Sequence, residues 1–327
     1  YYFVVKNGNI YLVTSNLEQS FELKLKADYI EADEGEILEI DFEAVKVLTK
    51  ATDDVTIATA DGKCTVSYGK RKVSFNVRNT SYDDIEPMFI KEVDKEQTVV
   101  LCESWVYETL LNLATFLEYN ETQRMFFAYN FNLTENRVEV LDGHRIAMRE
   151  LESSYEGSFM LYANATSVMK KVLDKNSDAE VKIMPSKNHI NIEGTDFRYQ
   201  QRRLEGQYYI VSRMLTTNFD TTCICKTKDL IDICKYVIDV VPTEYKKPLV
   251  YNMQENLTCK MFWKYKVEEE IEAIIEGNPL KIGFNPKFLL DMFNLCEDTI
   301  KMKFTTMKAP MMITGNNGYS FLILPVK

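Results

Sequence analysis

Side chains that could do acid–base or metal chemistry are few in this sequence, and one short segment concentrates them. The 327 residues contain only two histidines, His144 and His189, which leaves little material for an imidazole-based triad or zinc site. His144 lies in the segment Asp-Gly-His-Arg at 142–145, between two predicted strands. A hydrogen-bonded turn is one interpretation of this segment. In another, Gly143 lets a partner approach the backbone while His144 and Arg145 frame a pocket.

A catalytic interpretation would use Asp142 and His144 as acid and base, but the sequence supplies no nucleophile or cofactor motif to accompany them. No glycine-rich phosphate-binding motif occurs. Cys223 and Cys225 alternate along a predicted strand, so both thiols face one side of a sheet, and packing is favoured over metal binding. The sequence therefore predicts no catalytic residue, no metal site and no cofactor.

Composition and charge limit the class of protein. Hydrophobic residues make up 46% of the chain and charged residues 27%, with a mean hydropathy of -0.24, which is typical of a folded protein with no membrane span. The seven dispersed cysteines are typical of reduced thiols, so we expect a cytoplasmic protein. The net charge of -10 excludes binding to nucleic acid by broad electrostatic attraction. Any such binding must be local or topological.

An internal repeat organises the chain. A strand, a capping residue, a short helix, an acidic turn and a second strand recur three times, with caps at Asp41, Asn164 and Asn285. These caps are 123 and 121 residues apart. A second predicted helix begins at Ser104 and recurs at Thr227, again 123 residues later. A period of this length is that of a whole small domain.

The repeat predicts an α+β protein made of three copies of one domain, each with antiparallel sheets and, when complete, two helices. The predicted domains are 1–94, 95–219 and 220–327. By the same period, the first copy would be expected to begin with an additional N-terminal strand and helix, and the third looks short between Met261 and Glu270.

Three segments together with the repeat resemble one known family. The Asp-Gly-His-Arg-Ile-Ala segment at 142–147, the Ile-Gly-Phe-Asn-Pro-Lys-Phe-Leu-Leu-Asp segment at 282–291 and the terminal Leu-Ile-Leu-Pro-Val-Lys at 322–327 resemble the bacterial DNA polymerase III beta subunits, the sliding clamps. The resemblance implies two copies that close head to tail into a ring of six domains, with sheets outside and helices lining a channel around duplex DNA. Topological binding of this kind is compatible with a negative net charge.

The resemblance also implies a hydrophobic cleft between the second and third domains that takes a short extended peptide from partner proteins. Leu141 stands where the family often has Thr, and Tyr209 and Met214 stand where it often has Pro and Val, so the shape of the cleft is expected to differ. The implied lining residues are Phe127, Leu141, Gly143, His144, Arg145, Ile146, Tyr209, Arg213, Met214, Leu322, Ile323, Leu324, Pro325 and Val326.

The same resemblance implies residues for a DNA channel and for a dimer contact. In the loop 121–126, which matches a family segment that touches duplex DNA, Met125 and Phe126 replace the usual tyrosines. The expected DNA-channel residues are Arg124, Lys170, Lys171, Lys175, Arg202 and Arg203, with Lys70, Arg71, Lys72, Lys246 and Lys247 as further candidates for which ordinary solvated surface is the alternative. The expected dimer contact joins the first domain of one copy to the third domain of the other. It would use Val73 and Phe75 on one side and Val240 and Val241 on the other. A place in the core of their own domains is an equal alternative for these residues.

The expected function is that of a non-catalytic processivity factor, because polymerase activity would belong to the DNA polymerase III complex. Its expected partners are a second copy, double-stranded DNA, the DNA polymerase III alpha subunit, the clamp loader, and other polymerases and repair proteins that carry clamp-binding peptides, with no membrane partner. The alternative is a repeat-built adaptor that binds peptides but does not encircle DNA. Only the processivity factor would close into a ring around DNA, so ring closure distinguishes the two functions.

Overall fold

A computed structural model describes residues 1–51, 54–78, 80, 85, 89, 97–242 and 247–326. The helices whose bounds the structure describes are five α-helices and two short 3₁₀ helices. The α-helices are α1 (Phe42–Leu48), α2 (Glu103–Ala114), α3 (Ala165–Val172), α4 (Thr227–Val240) and α5 (Pro286–Phe293). The 3₁₀ helices are Arg124–Phe127 and Val211–Arg213.

The three short helices begin at the predicted caps. The Asp41 side chain accepts a hydrogen bond from the backbone N–H of Ala44 at 2.8 Å, and that of Asn285 accepts one from Lys287 at 3.0 Å. Helix α3 starts directly after Asn164. These contacts confirm the helical part of the predicted repeat.

The two longer helices begin slightly before their predicted start. Ser104 and Thr227 were expected as caps, but both lie inside the helices, and α2 ends at Ala114. Neighbouring carbonyl groups explain the shift: the N–H of Ser104 donates to the oxygen of Ser177 at 2.9 Å, and that of Thr227 to Asp298 at 2.8 Å. These backbone carbonyl groups satisfy N–H groups of the first turn that have no partner within the helix.

Twenty-four strands occur in the described residues. In chain order they are β1 (Tyr2–Lys6), β2 (Asn9–Ser15), β3 (Gln19–Leu25), β4 (Ile37–Glu39), β5 (Thr56–Ala60), β6 (Lys63–Tyr68), β7 (Arg71–Asn76), β8 (Val99–Cys102), β9 (Ala128–Asn132), β10 (Arg137–Leu141), β11 (Arg145–Glu150), β12 (Ser158–Tyr162), β13 (Glu180–Pro185), β14 (His189–Glu193), β15 (Phe197–Arg202), β16 (Thr221–Lys226), β17 (Leu249–Met253), β18 (Leu257–Phe262), β19 (Lys266–Ile271), β20 (Ala273–Gly277), β21 (Leu280–Phe284), β22 (Thr299–Phe304), β23 (Met311–Asn316) and β24 (Tyr319–Ile323).

The chain divides into two compact units, and the first consists of Tyr1–Val106 and Val172–Arg203. It contains an eight-stranded sheet of order β4-β1-β2-β3-β15-β14-β13-β8 and a three-stranded sheet of order β5-β6-β7. Alternate side chains of β1 point to opposite faces, so Phe3 packs in one apolar cluster with Leu38 while Val4 packs in another. Both faces of β1 are therefore covered.

The second unit consists of Tyr107–Lys171 and Leu204–Lys327. Its nine-stranded sheet has the order β12-β9-β10-β11-β24-β23-β22-β16-β20, and its four-stranded sheet has the order β19-β18-β17-β21. Buried residues alternate along β16, β17 and β18, which gives this unit its core. The pairing of β11 with β24 brings the terminal strand beside the 142–145 segment.

Every strand ladder among the described residues is antiparallel, which confirms the predicted α+β class with antiparallel sheets. The domain boundaries at 94 and 219 stay predictions, and the first of them lies outside the described residues. None of the described helices combines the length and the apolarity that are needed to cross a membrane.

Candidate functional site

The Asp-Gly-His-Arg segment is a tight connection between β10 and β11. One oxygen of Asp142 accepts hydrogen bonds from the backbone N–H groups of His144 and Arg145, at 2.9 and 3.0 Å. Gly143 has a φ of +84°, a left-handed conformation that a glycine adopts without strain. The turn expected from the sequence is therefore present, and its geometry explains both the aspartate and the glycine.

The Arg145 side chain is buried beneath this turn, and all three of its nitrogen atoms donate hydrogen bonds. Nε donates to Asp142 at 2.8 Å, Nη1 to Asp291 at 2.7 Å, and Nη2 to the carbonyl oxygen of Thr115 at 2.6 Å. Only 7% of the side chain is exposed. The guanidinium group supports the turn from inside rather than offering free donors to a partner.

Two aromatic rings enclose the same guanidinium group. Its central carbon lies 4.6 Å from the ring centroid of Phe116 and 4.4 Å from that of Phe288. Cation–π contacts of this kind are strongest where the cation is desolvated, as it is for Arg145. Phe288 and Asp291 lie one turn apart on α5, so one face of this helix supplies both a ring and a carboxylate.

His144 is exposed at the tip of the turn and fixes the position of the chain terminus. Its ring stacks on Phe288 with centroids 5.8 Å apart. Its backbone oxygen accepts a hydrogen bond from the N–H of Leu324 at 2.9 Å, and the N–H of Val326 donates to Gly283 at 2.8 Å. The last residues therefore run as an extended segment along the turn.

Asp142 is poorly placed for the catalytic interpretation. One of its oxygens holds the turn and the other pairs with Arg145. Both oxygens of this carboxylate are therefore already engaged by groups of the chain itself. Within the described ranges, no three His, Cys, Asp or Glu side chains are grouped so that they could hold a metal ion.

An apolar floor lies beside the turn, formed by Leu141, Ile146 and Leu322. Each of the three is only 4% exposed, and they belong to one apolar cluster of the second unit. Partly buried apolar side chains pack against this cluster and help to shield it from solvent, namely Phe126, Tyr208, Tyr209, Leu215 and Phe219.

An exposed apolar rim accompanies the covered floor. Ile210 is 53% exposed and Met214 43%, while Leu324 and Val326 at the chain terminus are 42% and 40% exposed. Val211, beside Ile210 and Met214 in the chain, belongs to the apolar cluster, and the N–H of Leu324 donates to His144, so these exposed residues lie near the floor. Single exposed apolar residues are ordinary, but several of them close together indicate an interaction surface. Arg213 is exposed on the 3₁₀ helix that precedes Met214.

Phe126 forms the part of the cover that reaches the turn. A Cβ atom added to Gly143 would lie 3.3 Å from Cζ of Phe126, so the ring rests directly on this glycine. The ring also stacks on Tyr209, with centroids 5.7 Å apart. The Tyr209 hydroxyl donates to Oε1 of Gln123 at 3.4 Å. We call Phe126 and Tyr209 the aromatic cover.

Phe127 points into a second aromatic group next to the cover. Its ring makes edge contacts with Tyr119 at 5.6 Å and with Tyr162 at 5.4 Å. Burial and the neighbouring Tyr119 raise the pKa of Tyr162, while the Arg124 guanidinium acts in the opposite direction. The ring contact with Tyr162 thus places Phe127 against β12.

All fourteen residues predicted for the cleft belong to the second unit, and the structure gives them different positions. Leu141, Ile146, Leu322 and Ile323 are buried, Arg145 is buried and fully bonded, and the remainder are half-buried or exposed. The sequence reasoning missed Phe126, Phe288 and Asp291 as contributors. For the last two, the spacing of three residues on one predicted helix was an available signal.

The residues predicted for DNA are mostly exposed. Arg124, Lys170, Lys171 and Lys175 have exposed side chains. Arg202 is also exposed and pairs with Glu18 at 3.6 Å, whereas Arg203 is half-buried and its Nη1 donates to the oxygen of Ser186 at 3.2 Å. Among the further candidates, Lys246 lies outside the described residues.

The residues predicted for the dimer contact lie on or beside two sheet edges. Val73 and Phe75 are half-buried on β7, the edge strand of the three-stranded sheet, and Phe75 also packs against the core of the first unit. Val240 is half-buried at the end of α4, and Val241 is buried. The hydroxyl of Tyr265 donates to the oxygen of Val240 at 2.7 Å, which ties α4 to the turn before the edge strand β19.

The cysteines are free thiols, and five of the seven are buried. Cys223 and Cys225 both point to the buried face of β16, as their spacing predicted. A hydrogen bond with Cys223 and burial raise the pKa of Cys225, and burial raises that of Cys296 to about 12. Protonated, buried thiols behave as small apolar side chains.

Comparison with known proteins gives one consistent family. Residues 213–327 match the family model described as DNA polymerase III beta subunit, C-terminal domain. A relative from Streptomyces coelicolor named Beta sliding clamp is 26% identical over 150 residues, which cover 42% of this chain and 39% of the relative. A relative of the same name from Staphylococcus epidermidis is 22% identical over 250 residues, which cover 73% of this chain and 66% of the relative. The matched stretches thus span less than two thirds of these relatives' own length.

Solved structures are similar along nearly the whole chain. A protein from Eubacterium rectale, described as a DNA polymerase III beta subunit, has a TM-score of 0.86 and 26% identity, covering 99% of this chain and 90% of that chain. The DNA polymerase sliding clamp from Bacillus subtilis has the same TM-score at 18% identity, covering 100% of this chain and 90% of that chain. At 18% identity the second similarity is one of fold alone.

Proposed function

We propose that this chain is a member of the family of bacterial DNA polymerase III beta subunits and acts as a DNA sliding clamp. In this function a head-to-tail dimer encircles duplex DNA and tethers the replicative polymerase to it. The observation that carries the proposal is the similarity of fold along 99% of the chain to the protein from Eubacterium rectale. The function implies that the protein works in the cytoplasm.

The charge of the chain supports a topological mode of binding. A net charge of -10 would repel the phosphate backbone from most of the surface. A closed ring stays on DNA because leaving requires the ring to open, not because many phosphate contacts must break. The exposed basic residues Arg124, Lys170, Lys171 and Lys175 then need to supply only local contacts.

Two sheet edges of opposite charge, neither of which pairs with another strand among the described residues, support closure by a second copy. The edge strand β7 carries Arg71 and Lys72 on exposed positions, and the edge strand β19 carries Glu269 and Glu270. Exposed edges with free backbone groups pair readily with another chain. In a head-to-tail dimer, β7 of one copy would meet β19 of the other, with Val73, Phe75 and Val240 as the apolar part of the contact.

The peptide cleft is the proposed partner site of the clamp. The apolar floor, the exposed rim and the terminal strand lie around the turn at 142–145, which fits an extended peptide with apolar anchors. The proposed ligands are peptides of the DNA polymerase III alpha subunit, the clamp loader, and other polymerases and repair proteins. The clamp itself would make and break no bonds, because Asp142 serves the turn and Arg145.

A topological assay tests the clamp directly. The protein is loaded on nicked circular DNA, and its retention during gel filtration is compared before and after the circle is cut, with light scattering to measure the mass of the free protein. We expect a dimeric mass, retention on the circle and loss from the linear product. A monomer that is retained on neither form contradicts the proposal and leaves the peptide-binding adaptor as the better account.

A further inference from the structure

The apolar floor of the cleft is closed in the free chain. Leu141, Ile146 and Leu322 are each only 4% exposed, whereas Met214 and Leu324 on the rim are more than 40% exposed. A peptide that contacted only the rim would leave the floor unused. A side chain that reaches the floor must first displace something that covers it.

Phe126 is the covering residue that is best placed to move. Its ring rests on Gly143 and stacks on Tyr209, and a phenyl ring makes no hydrogen bond that would be lost on rotation. Its backbone is held, since its N–H donates to Gln123 and its oxygen accepts from Glu118, both at 3.0 Å. Movement of the side chain alone, with the loop in place, would therefore uncover the part of the floor beside Gly143.

The opposite side of the floor is fixed. The turn that carries Gly143 and His144 is held by the Asp142 side chain, and the buried Arg145 ties it to the half-buried Asp291 through an ion pair. A buried, fully bonded cation does not reorganise cheaply. Opening must then come from the side of the aromatic cover.

We propose that Phe126, which lies on a loop that the family resemblance implies to contact DNA, is a specificity-determining residue of the peptide cleft. Its ring occupies the anchor position over Gly143 in the free chain and moves aside for an apolar side chain of the partner peptide. The floor is made of Leu and Ile side chains without polar atoms, so the anchor is an apolar residue and not a charged or amide one. This inference rests on the proposed function and names the chemistry of its ligand.

The population of the open state sets the affinity. When the binding-competent state is a minor one, the apparent dissociation constant is raised by the inverse of its population. Truncation of Phe126 removes the ring that closes the site, so binding should become tighter. If Phe126 were an ordinary wall of the cleft, the same truncation would remove contacts and weaken binding.

The test uses the full chain and two probes. Both are blocked, fluorescein-labelled hexapeptides of Ser and Gln with two adjacent anchor residues, Leu-Phe in one probe and Ala-Ala in the other. Fluorescence anisotropy gives the dissociation constants for the wild type, Phe126→Ala, Phe126→Leu and the control Phe262→Ala, whose ring is exposed on β18. Thermal melting of each variant verifies that it is folded.

We expect Phe126→Ala to bind the Leu-Phe probe about 10-fold more tightly than the wild type, Phe126→Leu to lie between them, and Phe262→Ala to match the wild type. The Ala-Ala probe should show little difference among the four proteins. Unchanged or weaker binding of the Leu-Phe probe by Phe126→Ala overturns the inference and leaves the clamp intact. If the wild type and all variants fail to bind the Leu-Phe probe, the cleft and the inference both fall, and retention on circular DNA then decides separately whether the chain is a clamp.

Discussion

The two sides of the apolar floor are built from different interactions. On one side, the turn at 142–145 is held by charge-assisted hydrogen bonds of 2.6 to 2.8 Å from Arg145 to Asp142, Asp291 and Thr115. On the other, the aromatic cover of Phe126 and Tyr209 is held mainly by ring stacking and apolar contact. Directional bonds to a buried cation fix a geometry, while stacking allows rearrangement. We call the side held by Arg145 the rigid wall and the aromatic cover, whose ring Phe126 we propose to move, the movable wall.

Removal of the Arg145 cation should have the largest effect. We expect Arg145→Met to lower the free energy of unfolding by about 3–5 kcal/mol, because Asp142 would keep a buried charge without its partner. Urea denaturation followed by circular dichroism measures this. Arg213→Met is the matched control, since Arg213 is exposed in the same unit, and it should change the midpoint little. Equal losses in the two variants would contradict the idea of a rigid wall.

Two substitutions of Asp291 distinguish the contribution of its charge from that of its hydrogen bond to the stability of the rigid wall. We expect Asp291→Ala to cost about 2 kcal/mol of unfolding free energy, because it removes one charge-assisted hydrogen bond from a partly buried guanidinium contact. Asp291→Asn keeps an oxygen acceptor for Nη1 and should recover most of this loss. The exposed Asp232 on α4 provides the control Asp232→Ala. If Asp291→Asn were as unstable as Asp291→Ala, the charge and not the hydrogen bond would be the holding element.

Truncation of the movable wall should cost less stability. We expect Phe126→Ala to lower the unfolding free energy by about 1 kcal/mol, because the ring is half-buried. The comparison variant is Phe131→Ala in the core of the same unit, where the ring is 1% exposed and a loss of about 3–5 kcal/mol is expected. A loss at Phe126 as large as that at Phe131 would show that the cover is part of the core and does not move.

The sequence predicted this architecture well where local rules decide. The repeat, the capped helices after Asp41 and Asn285, the turn around Gly143 and the buried alternation of Cys223 with Cys225 all follow from spacing and capping. These features depend on residues within a few positions of each other. The secondary structure of these segments was therefore predictable without knowledge of the residues that pack against them.

Local rules carry no information where contacts join distant parts of the chain. Arg145 was expected from the family resemblance to line the cleft, and no local pattern predicted that its buried guanidinium group would bond to Asp291, 146 residues away. Phe126 was assigned to a DNA-contacting loop, and nothing in its neighbours indicates that its ring stacks on Tyr209, which lies far along the chain. Side-chain direction in a loop depends on tertiary packing, which no periodic pattern reports.

Substitutions of exposed charged residues should have the smallest effect on stability, in contrast to removal of the buried Arg145 cation. We expect Glu269→Lys to leave the unfolding transition of the protomer unchanged and to weaken dimerisation about fivefold or less at low salt, because exposed ion pairs are weak and screened. The double variant Arg71→Glu with Glu269→Lys should recover dimerisation, since a head-to-tail dimer places the two edges together at both interfaces. Mass photometry at low and high salt measures the dissociation constant, with Glu152→Lys as an exposed control in the same unit. A double variant that dimerises no better than Glu269→Lys alone would argue that β7 and β19 do not meet.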